Sequence, residues 1–324
     1  MNKKILYIIL LTGLFPLFSF SQTYEGYMNY GAGLMISGEY DKAIEEINKG
    51  ISLKPEKQRG YELRGDAYTG KGDYTSAIAD YTKALEIGPY LTYAYCGRGN
   101  AYLCKGDYTS AISEYTKAIE FDPTSLDAYK GRGAVYFEKG DYTSAISDYS
   151  KRIEILPKGS RYYCDRGDLY NKLNEFEKAL EDYNKAIEID PERQYMSWEY
   201  YWRRGTLYHK NNQYDNALSD YNKAIGLIGN HPYANNTYYS RGTLYLELEK
   251  YNEALTDLNT AITSMEKWHA SHIYTQLDPD YYYNRGIVYQ KLKSNENAIK
   301  DYEKAIEINP KLETELRPII NGLK

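Results

Sequence analysis

The sequence predicts an all-α solenoid of about eight helix–turn–helix repeats, followed by a C-terminal capping helix. A Gly-to-Ala skeleton returns eight times, its first five copies stand 34 residues apart, and each copy divides into two segments with helical spacing of apolar residues. Such periodicity is typical of chains whose neighbouring repeats bury one continuous core. The skeleton glycines are Gly31, Gly65, Gly99, Gly133, Gly167, Gly205, Gly242 and Gly286, and the alanines are Ala43, Ala77, Ala111, Ala145, Ala179, Ala217, Ala254 and Ala298.

Residues 1–21 lie outside the repeats and have the layout of a secretory signal peptide. Two lysines precede an apolar run from 5 to 20, and Ser19 and Ser21 place small residues before Gln22. We therefore expect cleavage after Ser21, export to the periplasm or cell envelope, and no membrane span after cleavage. The alternative is a retained N-terminal anchor, although the run is short for a spanning helix, which needs about 20 residues.

Composition excludes some classes of partner. The chain has 40 basic and 45 acidic side chains, a formal net charge of −5, and loss of the leader's two lysines would make it −7. An acidic chain without a basic cluster argues against nucleic acid and against anionic membrane surfaces. Forty tyrosines supply much of the apolar surface, and tyrosine gives a helix pair large contact area while its hydroxyl stays polar.

The second repeat, residues 58–91, shows how each repeat is predicted to fold. Gly72 suits the left-handed conformation at the end of a first helix, and Asp73 is a suitable N-cap for a second helix. Pro89 ends the second helix. The residues at helical spacing are Tyr61, Gly65 and Tyr68 in the first helix and Ala77, Ile78, Tyr81, Ala84 and Leu85 in the second. Neither helix can bury its stripe alone, so neighbouring repeats must stack.

This skeleton resembles the tetratricopeptide repeat, a helix–turn–helix unit of the same length. The pattern of aromatic, Gly, Tyr, Ala, aromatic, Ala and Pro is met by Tyr61, Gly65, Tyr68, Ala77, Tyr81, Ala84 and Pro89, and again by Tyr95, Gly99, Tyr102, Ala111, Tyr115, Ala118 and Pro123. The resemblance implies a right-handed superhelix with a concave groove lined by the first helices. The predicted repeats are 24–57, 58–91, 92–125, 126–159, 160–193, 198–231, 235–268 and 279–312, with a capping helix at 313–324.

Several positions depart from the pattern. Arg152 replaces a small residue, which puts tight packing at the end of the fourth repeat in doubt, and Glu249 and Lys293 replace the turn glycine. Extra residues are expected near 192–197, 230–234 and 268–279. In contrast, the identical Gly-Asp-Tyr-Thr-Ser-Ala-Ile runs that start at Gly72, Gly106 and Gly140 indicate recent duplication.

An arginine precedes the skeleton glycine in seven repeats, and in all eight an acid precedes the aromatic or aliphatic residue that stands four beyond the skeleton alanine. We expect a ladder of ion pairs, which would set register more than stability, since exposed pairs contribute about 0–1 kcal/mol. Pairing within a repeat would leave Glu46 without its arginine, because Tyr30 stands there, whereas pairing with the previous repeat would leave Asp301. Two independent solvated rows are the alternative. The arginines are Arg64, Arg98, Arg132, Arg166, Arg204, Arg241 and Arg285, and the acids are Glu46, Asp80, Glu114, Asp148, Asp182, Asp220, Asp257 and Asp301.

The resemblance also implies where a partner would bind. Counting residues from the start of each repeat as places, the groove of the family is lined by places 2, 5, 9, 12 and 13. Place 5 holds Met28, Glu62, Cys96, Lys130, Cys164, Trp202, Tyr239 and Tyr283. The candidate partner-binding residues are Trp202, Tyr239, Tyr283, His209, Lys210 and Lys291. The alternative is that the three rings only seal adjacent repeats.

No catalytic motif, phosphate loop or cofactor site stands out, so we expect a protein that is not an enzyme and holds neither cofactor nor metal. His269 and His272 with Asp278 and Asp280 make a metal site conceivable, but no cysteine or third histidine supports it. The cysteines, expected to be at least half-buried and not paired, are Cys96, Cys104 and Cys164.

Two classes of function remain for such a chain. The first is an exported scaffold that holds a peptide or protein partner in its groove. The second is a structural envelope protein associated with glycan or peptidoglycan, whose tyrosines stack on sugars. The sequence does not identify the partner.

Overall fold

A computed structural model of the protein describes residues 22–191, 197–229, 234–271 and 277–324. These ranges contain only helices and their connections, which confirms the all-α repeat fold. The predicted leader, 1–21, and the cores of the three predicted insertions lie outside the described residues. The helices are α1 (Tyr24–Ile36), α2 (Tyr40–Leu53), α3 (Gln58–Lys71), α4 (Tyr74–Ile87), α5 (Thr92–Cys104), α6 (Tyr108–Phe121), α7 (Leu126–Glu138), α8 (Tyr142–Ile155), α9 (Ser160–Lys172), α10 (Phe176–Ile189), α11 (Ser197–Lys210), α12 (Tyr214–Ile228), α13 (Ala234–Glu247), α14 (Tyr251–Ser271), α15 (Pro279–Lys291), α16 (Asn295–Ile308) and α17 (Glu313–Leu323), with a 3₁₀ turn at Pro310–Leu312.

The chain forms two compact halves, residues up to 155 and residues from 156. In each half an odd-numbered helix is the first helix of a repeat and packs most extensively on the even-numbered helix that follows it. First helices of neighbouring repeats also contact one another, as α3 does with α5 and α11 with α13. Because the first helices approach each other across repeats, they form the inner face of each half.

Close approach of the two helices depends on the skeleton glycine. A Cβ placed on Gly65 would lie 3.0 Å from the ring of Tyr81, which is itself 1% exposed. Ala77 on the same second helix is fully buried. The small residues and the buried tyrosine therefore form one contact, as the repeat pattern predicts.

The turn between the two helices keeps a left-handed residue at place 15. In the N-terminal half this residue is glycine, with φ of 75° to 85° at Gly38, Gly72, Gly106 and Gly140. In the C-terminal half the same conformation, with φ of 57° or 58°, belongs to Asn174, Asn212, Glu249 and Lys293. The fold thus retains the turn where the sequence has lost the residue that suits it best.

Two departures have visible structural effects. Arg152 is 4% exposed and lies over the ring of Tyr149, which is half-buried, whereas Tyr81 and Tyr115 at the equivalent place are buried. Packing at the end of the fourth repeat therefore differs from that of the others. The residues added after the seventh repeat extend α14 to Ser271.

The C-terminal helix α17 covers the last repeat, as its apolar residues predict. Leu316 and Ile320 are fully buried against the cluster that includes Tyr302. No helix among the described residues is both long enough and apolar enough to cross a membrane.

Candidate functional site

Seven arginines at place 7 bind the acid at place 23 of their own repeat. Arg64 Nη2 lies 2.6 Å from Asp80 Oδ1, and its Nε donates to the other carboxylate oxygen at 2.7 Å. Six pairs have this two-bond fork, while Arg98 donates both bonds to one oxygen of Glu114. The arginines therefore pair with the acid of their own repeat. Glu46, whose repeat lacks the arginine, forms an ion pair with Lys49. The pairs are Arg64–Asp80, Arg98–Glu114, Arg132–Asp148, Arg166–Asp182, Arg204–Asp220, Arg241–Asp257 and Arg285–Asp301.

The expectation that these pairs are exposed is wrong, because the carboxylates lie between helices. The acid side chains are 4–8% exposed and the arginines 14–22%. Burial raises the pKa of Asp182 even though Arg166 acts to lower it. Removing one partner from a buried pair typically costs about 3–5 kcal/mol, because the remaining charge stays buried without a countercharge, so the repeats depend on both members of each pair.

A third N–H of six of these arginines reaches back to the preceding repeat. Arg98 Nη1 donates to Thr82 Oγ1 at 2.9 Å, and Arg285 Nη1 donates to Asn259 Oδ1 at 2.9 Å. The acceptor stands two residues after the preceding repeat's acid, at place 25. Sequence reasoning missed this contact, although a short polar residue at place 25 in seven repeats was a visible signal. The acceptors are Asn48, Thr82, Thr116, Asn184, Asn222 and Asn259.

The three candidate aromatic residues of the C-terminal half are half-buried and bridge neighbouring repeats. Trp202 Nε1–H donates to Ser240 Oγ of the next repeat at 3.0 Å. The ring of Tyr239 stacks on Tyr281, with centroids 4.2 Å apart. Asn284 donates to the hydroxyl of Tyr239 at 2.8 Å. The rings are thus neither wholly buried nor freely exposed, and both of their predicted roles are compatible with this position.

The remaining candidates lie along the same helices. Tyr283 donates its hydroxyl to Glu315 of the capping helix at 3.1 Å. His209 Nε2 lies 3.0 Å from Glu247 Oε2. Lys210 and Lys291 are exposed, and Lys210 Nζ donates to Asn174 Oδ1 at 2.6 Å. Two cations and three half-buried rings therefore share the first-helix face of this half.

Place 5 does not line a continuous groove. Met28 and Cys164 are fully buried, so the prediction that place 5 faces the groove is wrong for them. Lys130 at the same place is exposed, because a cation keeps its head in water while short apolar side chains pack inward. Cys104 is also exposed, contrary to expectation, while Cys96 and Cys164 are buried.

The N-terminal half has a cavity of about 350 Å³ on its first helices. Its walls include Asp66, Tyr81, Tyr93, Gly97 and Asp127, contributed by α3, α4, α5 and α7. The volume is at the lower end of the range of about 300–1,000 Å³ usual for ligand pockets. Sequence reasoning missed this cavity, because most of its wall comes from residues outside the repeating skeleton, such as Asp66, Tyr93 and Gly97.

Asp66 is the central polar group of this cavity. Its Oδ1 accepts a hydrogen bond from Tyr81 at 2.6 Å, and its Oδ2 accepts one from Tyr93 at 2.7 Å. Burial raises the pKa of Asp66, and these two hydrogen bonds only partly oppose it. Burial also raises the pKa of Glu62, and the charge of Asp66 adds to that effect. Among the described residues, no cation forms an ion pair with Asp66.

The equivalent acid of the C-terminal half has a cation. Asp168, at place 9 of the fifth repeat as Asp66 is of the second, accepts a hydrogen bond from Tyr183 at 2.7 Å. Its other oxygen accepts a hydrogen bond from Arg203 at place 6 of the next repeat. Arg203 Nε also donates to Glu199 at 3.0 Å. Gly97 is the place-6 residue beside Asp66, so the N-terminal half lacks this guanidinium.

The described residues offer little metal chemistry. No group of three or more His, Cys, Asp or Glu side chains within them could hold a metal ion. His272, one member of the conceivable metal site, lies outside the described residues. Burial raises the pKa of the Cys96 thiol to about 12, so it stays neutral beside the cavity.

The stacked helix pairs and their interlocking arginines define an α-helical repeat protein. The chain belongs to the tetratricopeptide repeat family, because sequence profiles of that family match more than half of the chain and at least part of every repeat. Profiles described as tetratricopeptide repeat match 24–57, 160–193, 199–267 and 279–312, and one described as TPR repeat matches 65–106 and 99–140. The recognition of the family from its sequence skeleton is thereby confirmed.

Solved structures support the fold. A tetratricopeptide repeat protein from Parabacteroides merdae is 20% identical, with a TM-score of 0.56, covering 83% of this chain and 97% of that one. The Cut9–Hcn1 hetero-tetramer of the APC/C is 16% identical, with a TM-score of 0.57, covering 94% of this chain and 55% of that one. At these identities the likeness concerns the fold alone. No curated protein matches the chain in sequence.

Proposed function

We propose that this protein is an exported scaffold of the cell envelope that binds a protein or peptide partner on the inner face of its first helices. The observation that carries the proposal is that α11, α13 and α15 have half-buried aromatic rings at place 5, while α11 and α15 also have the exposed Lys210 and Lys291. Tyr and Trp are among the residues in which binding energy concentrates in protein interfaces. Membership of the repeat family supports the same role.

The test compares charge reversals on the two faces. Lys210→Glu with Lys291→Glu changes the inner face, and Lys185→Glu with Lys304→Glu changes second helices by the same charge. Lys185 and Lys304 form only i,i+3 pairs with Glu188 and Glu307. Affinity capture from the envelope fraction should yield a specific protein partner, and its affinity should fall about tenfold for the inner-face pair only.

The same capture also tests the alternative function. Retention of the protein on isolated peptidoglycan, with no protein partner enriched, would replace the scaffold by a glycan-associated role. Capture that the inner-face pair leaves unchanged, or that both pairs reduce equally, would argue against an interface on the inner face.

The export part of the proposal has its own readout. Intact-mass measurement of the exported protein should give a chain that begins at Gln22. A mass that includes residues 1–21 would instead indicate an inner-membrane anchor.

A further inference from the structure

We propose that the cavity around Asp66 binds an arginine side chain supplied by the partner. The inference rests on the proposed scaffold role and specifies the chemistry of one position in the ligand. It starts from the internal comparison of Asp66 with Asp168, which occupy the same place in their repeats. Each carboxylate accepts a hydrogen bond from the buried tyrosine of its own repeat, Tyr81 or Tyr183.

The protein itself shows which group satisfies such a carboxylate. At Asp168 the guanidinium of Arg203 completes the site and also bonds Glu199. At Asp66 the equivalent residue is Gly97, where an added Cβ would lie 2.5 Å from the ring of Tyr81. The chain therefore cannot supply a side chain from that place without moving the ring, and the space beside Asp66 is cavity.

The charges around the cavity favour a cation. Asp66 and Asp127 line the cavity and Glu62 lies nearby, whereas the cations, Lys130 in the wall and Arg59 near Glu62, are both exposed to solvent. An ionised carboxylate has room for about four hydrogen bonds, and Asp66 uses one at each oxygen within the described residues. A bound cation would therefore find both charge and free acceptor capacity.

The shape of the cavity selects guanidinium over ammonium. Two tyrosine rings, Tyr81 and Tyr93, and two glycines, Gly97 and Gly131, form parts of the wall. Guanidinium is planar, forks its bonds to carboxylate and stacks on aromatic faces, whereas ammonium is a compact and strongly hydrated charge. Arginines over tyrosine rings recur in this chain, as with Arg98 over Tyr95 at 5.7 Å.

The experiment uses two probes of nearly the same size and shape, N-acetyl-arginine amide and N-acetyl-citrulline amide, of which the second is neutral and has a carbonyl oxygen in place of one NH2 donor group. Ligand-observed NMR with the purified protein should show that the arginine probe binds at least about tenfold more tightly than the citrulline probe. Asp66→Asn should remove that preference. Glu120→Gln removes one carboxylate outside the cavity and should leave it unchanged. A melting temperature of Asp66→Asn no lower than that of the parent excludes misfolding as the cause.

The outcomes separate this inference from the scaffold proposal. Equal binding of both probes, no binding of the arginine probe at about 10 mM, or full binding by Asp66→Asn would overturn the arginine cavity. If the parent protein captures a partner and Asp66→Asn captures it equally well, the scaffold stands and the cavity proposal falls. If no partner is captured but the arginine preference depends on Asp66, the cavity stands and the scaffold falls.

Discussion

The N-terminal and C-terminal halves share one frame, meaning the packed helix pairs with their arginine ladder, and differ in the side chains of the inner face. Both contain the arginine ladder, with Arg98–Glu114 in one half and Arg204–Asp220 in the other. They differ beside the place-9 acid, where Asp66 lines a cavity and Asp168 bonds Arg203. The difference shows that packing residues keep the repeats alike, while inner-face residues decide whether the acid pairs with an arginine, as Asp168 does, or accepts only tyrosine hydrogen bonds, as Asp66 does.

The turns give a second comparison. The N-terminal half uses glycine at the left-handed position, while the C-terminal half puts Glu249 and Lys293 there. A side chain at positive φ costs about 1–2 kcal/mol per residue. The C-terminal half therefore stores backbone strain that its helix packing must offset.

The largest expected effect tests whether the frame is common to both halves. Arg132→Met and Arg204→Met each leave a buried acid, Asp148 or Asp220, without its countercharge. Both should lose about 3–5 kcal/mol of local stability, measured by native-state hydrogen exchange of the flanking helices. Lys71→Met is the control, because it breaks an exposed pair with Asp41 and should leave exchange unchanged. Unequal losses in the two halves would contradict a shared frame.

The next effect concerns the internal cation. Arg203→Met should destabilise the C-terminal half by about 2–3 kcal/mol, because Asp168 and Glu199 lose charged hydrogen bonds in a partly buried site. Adding Asp168→Asn to Arg203→Met should recover part of the lost stability, since the uncompensated charge disappears. Urea unfolding followed by circular dichroism measures both variants. No loss in the single variant would mean that Arg203 is not needed to neutralise Asp168.

Exchanging the turn residues should reduce the difference in backbone strain between the two halves. Glu249→Gly and Lys293→Gly should each stabilise the protein by up to about 1 kcal/mol, because relief of strain exceeds the entropy that glycine costs. The reverse change, Gly72→Ala, should lose about 1–2 kcal/mol, since Gly72 has a φ of 85°. Asn174→Gly is the control and should be nearly neutral, because asparagine tolerates this conformation. Thermal unfolding would contradict the idea if both substitutions to glycine destabilise.

The smallest effect separates Asp66 from an ordinary structural acid. Burial raises the pKa of Asp66 in the folded protein, so its ionised form destabilises the fold at neutral pH. Asp66→Asn should therefore gain stability at pH 7, by less than about 1 kcal/mol. The gain should shrink as pH falls through the raised folded pKa and vanish below the usual Asp value of about 3.9. A gain that does not change with pH in urea titrations would argue against the burial effect.

Much of the frame could be predicted from the sequence because it repeats. The spacing of Gly65, Ala77 and Tyr81 recurs in every copy, so periodicity alone located the helices. The register of the ladder could not be predicted, since Arg98 stands a constant distance from acids in two repeats. Only the structure shows that it binds Glu114 and reaches Thr82 with its remaining N–H.

The inner face was predicted less well, because it depends on what is unique to each repeat. Place 5 was assigned to the groove by family resemblance, but the size and polarity of each side chain decide its direction. Met28 turns inward and Lys130 turns outward. The cavity at Asp66 is lined mostly by residues outside the repeating skeleton, such as Tyr93, Gly97 and Gly131, so the periodic pattern does not predict it.

The backward hydrogen bond of the ladder has a consequence for how such a chain can lengthen. Each repeat from the second onward has the place-7 arginine, which is seen to bond the preceding repeat in six of them, and the first seven have a short polar residue, such as Thr82, at place 25. A duplicated 34-residue block therefore already contains both the arginine for the preceding repeat and the short polar acceptor for the following one. Duplication of such a block needs no compensating mutation in the neighbouring repeats. The identical runs at Gly72, Gly106 and Gly140 are the result expected of such duplications.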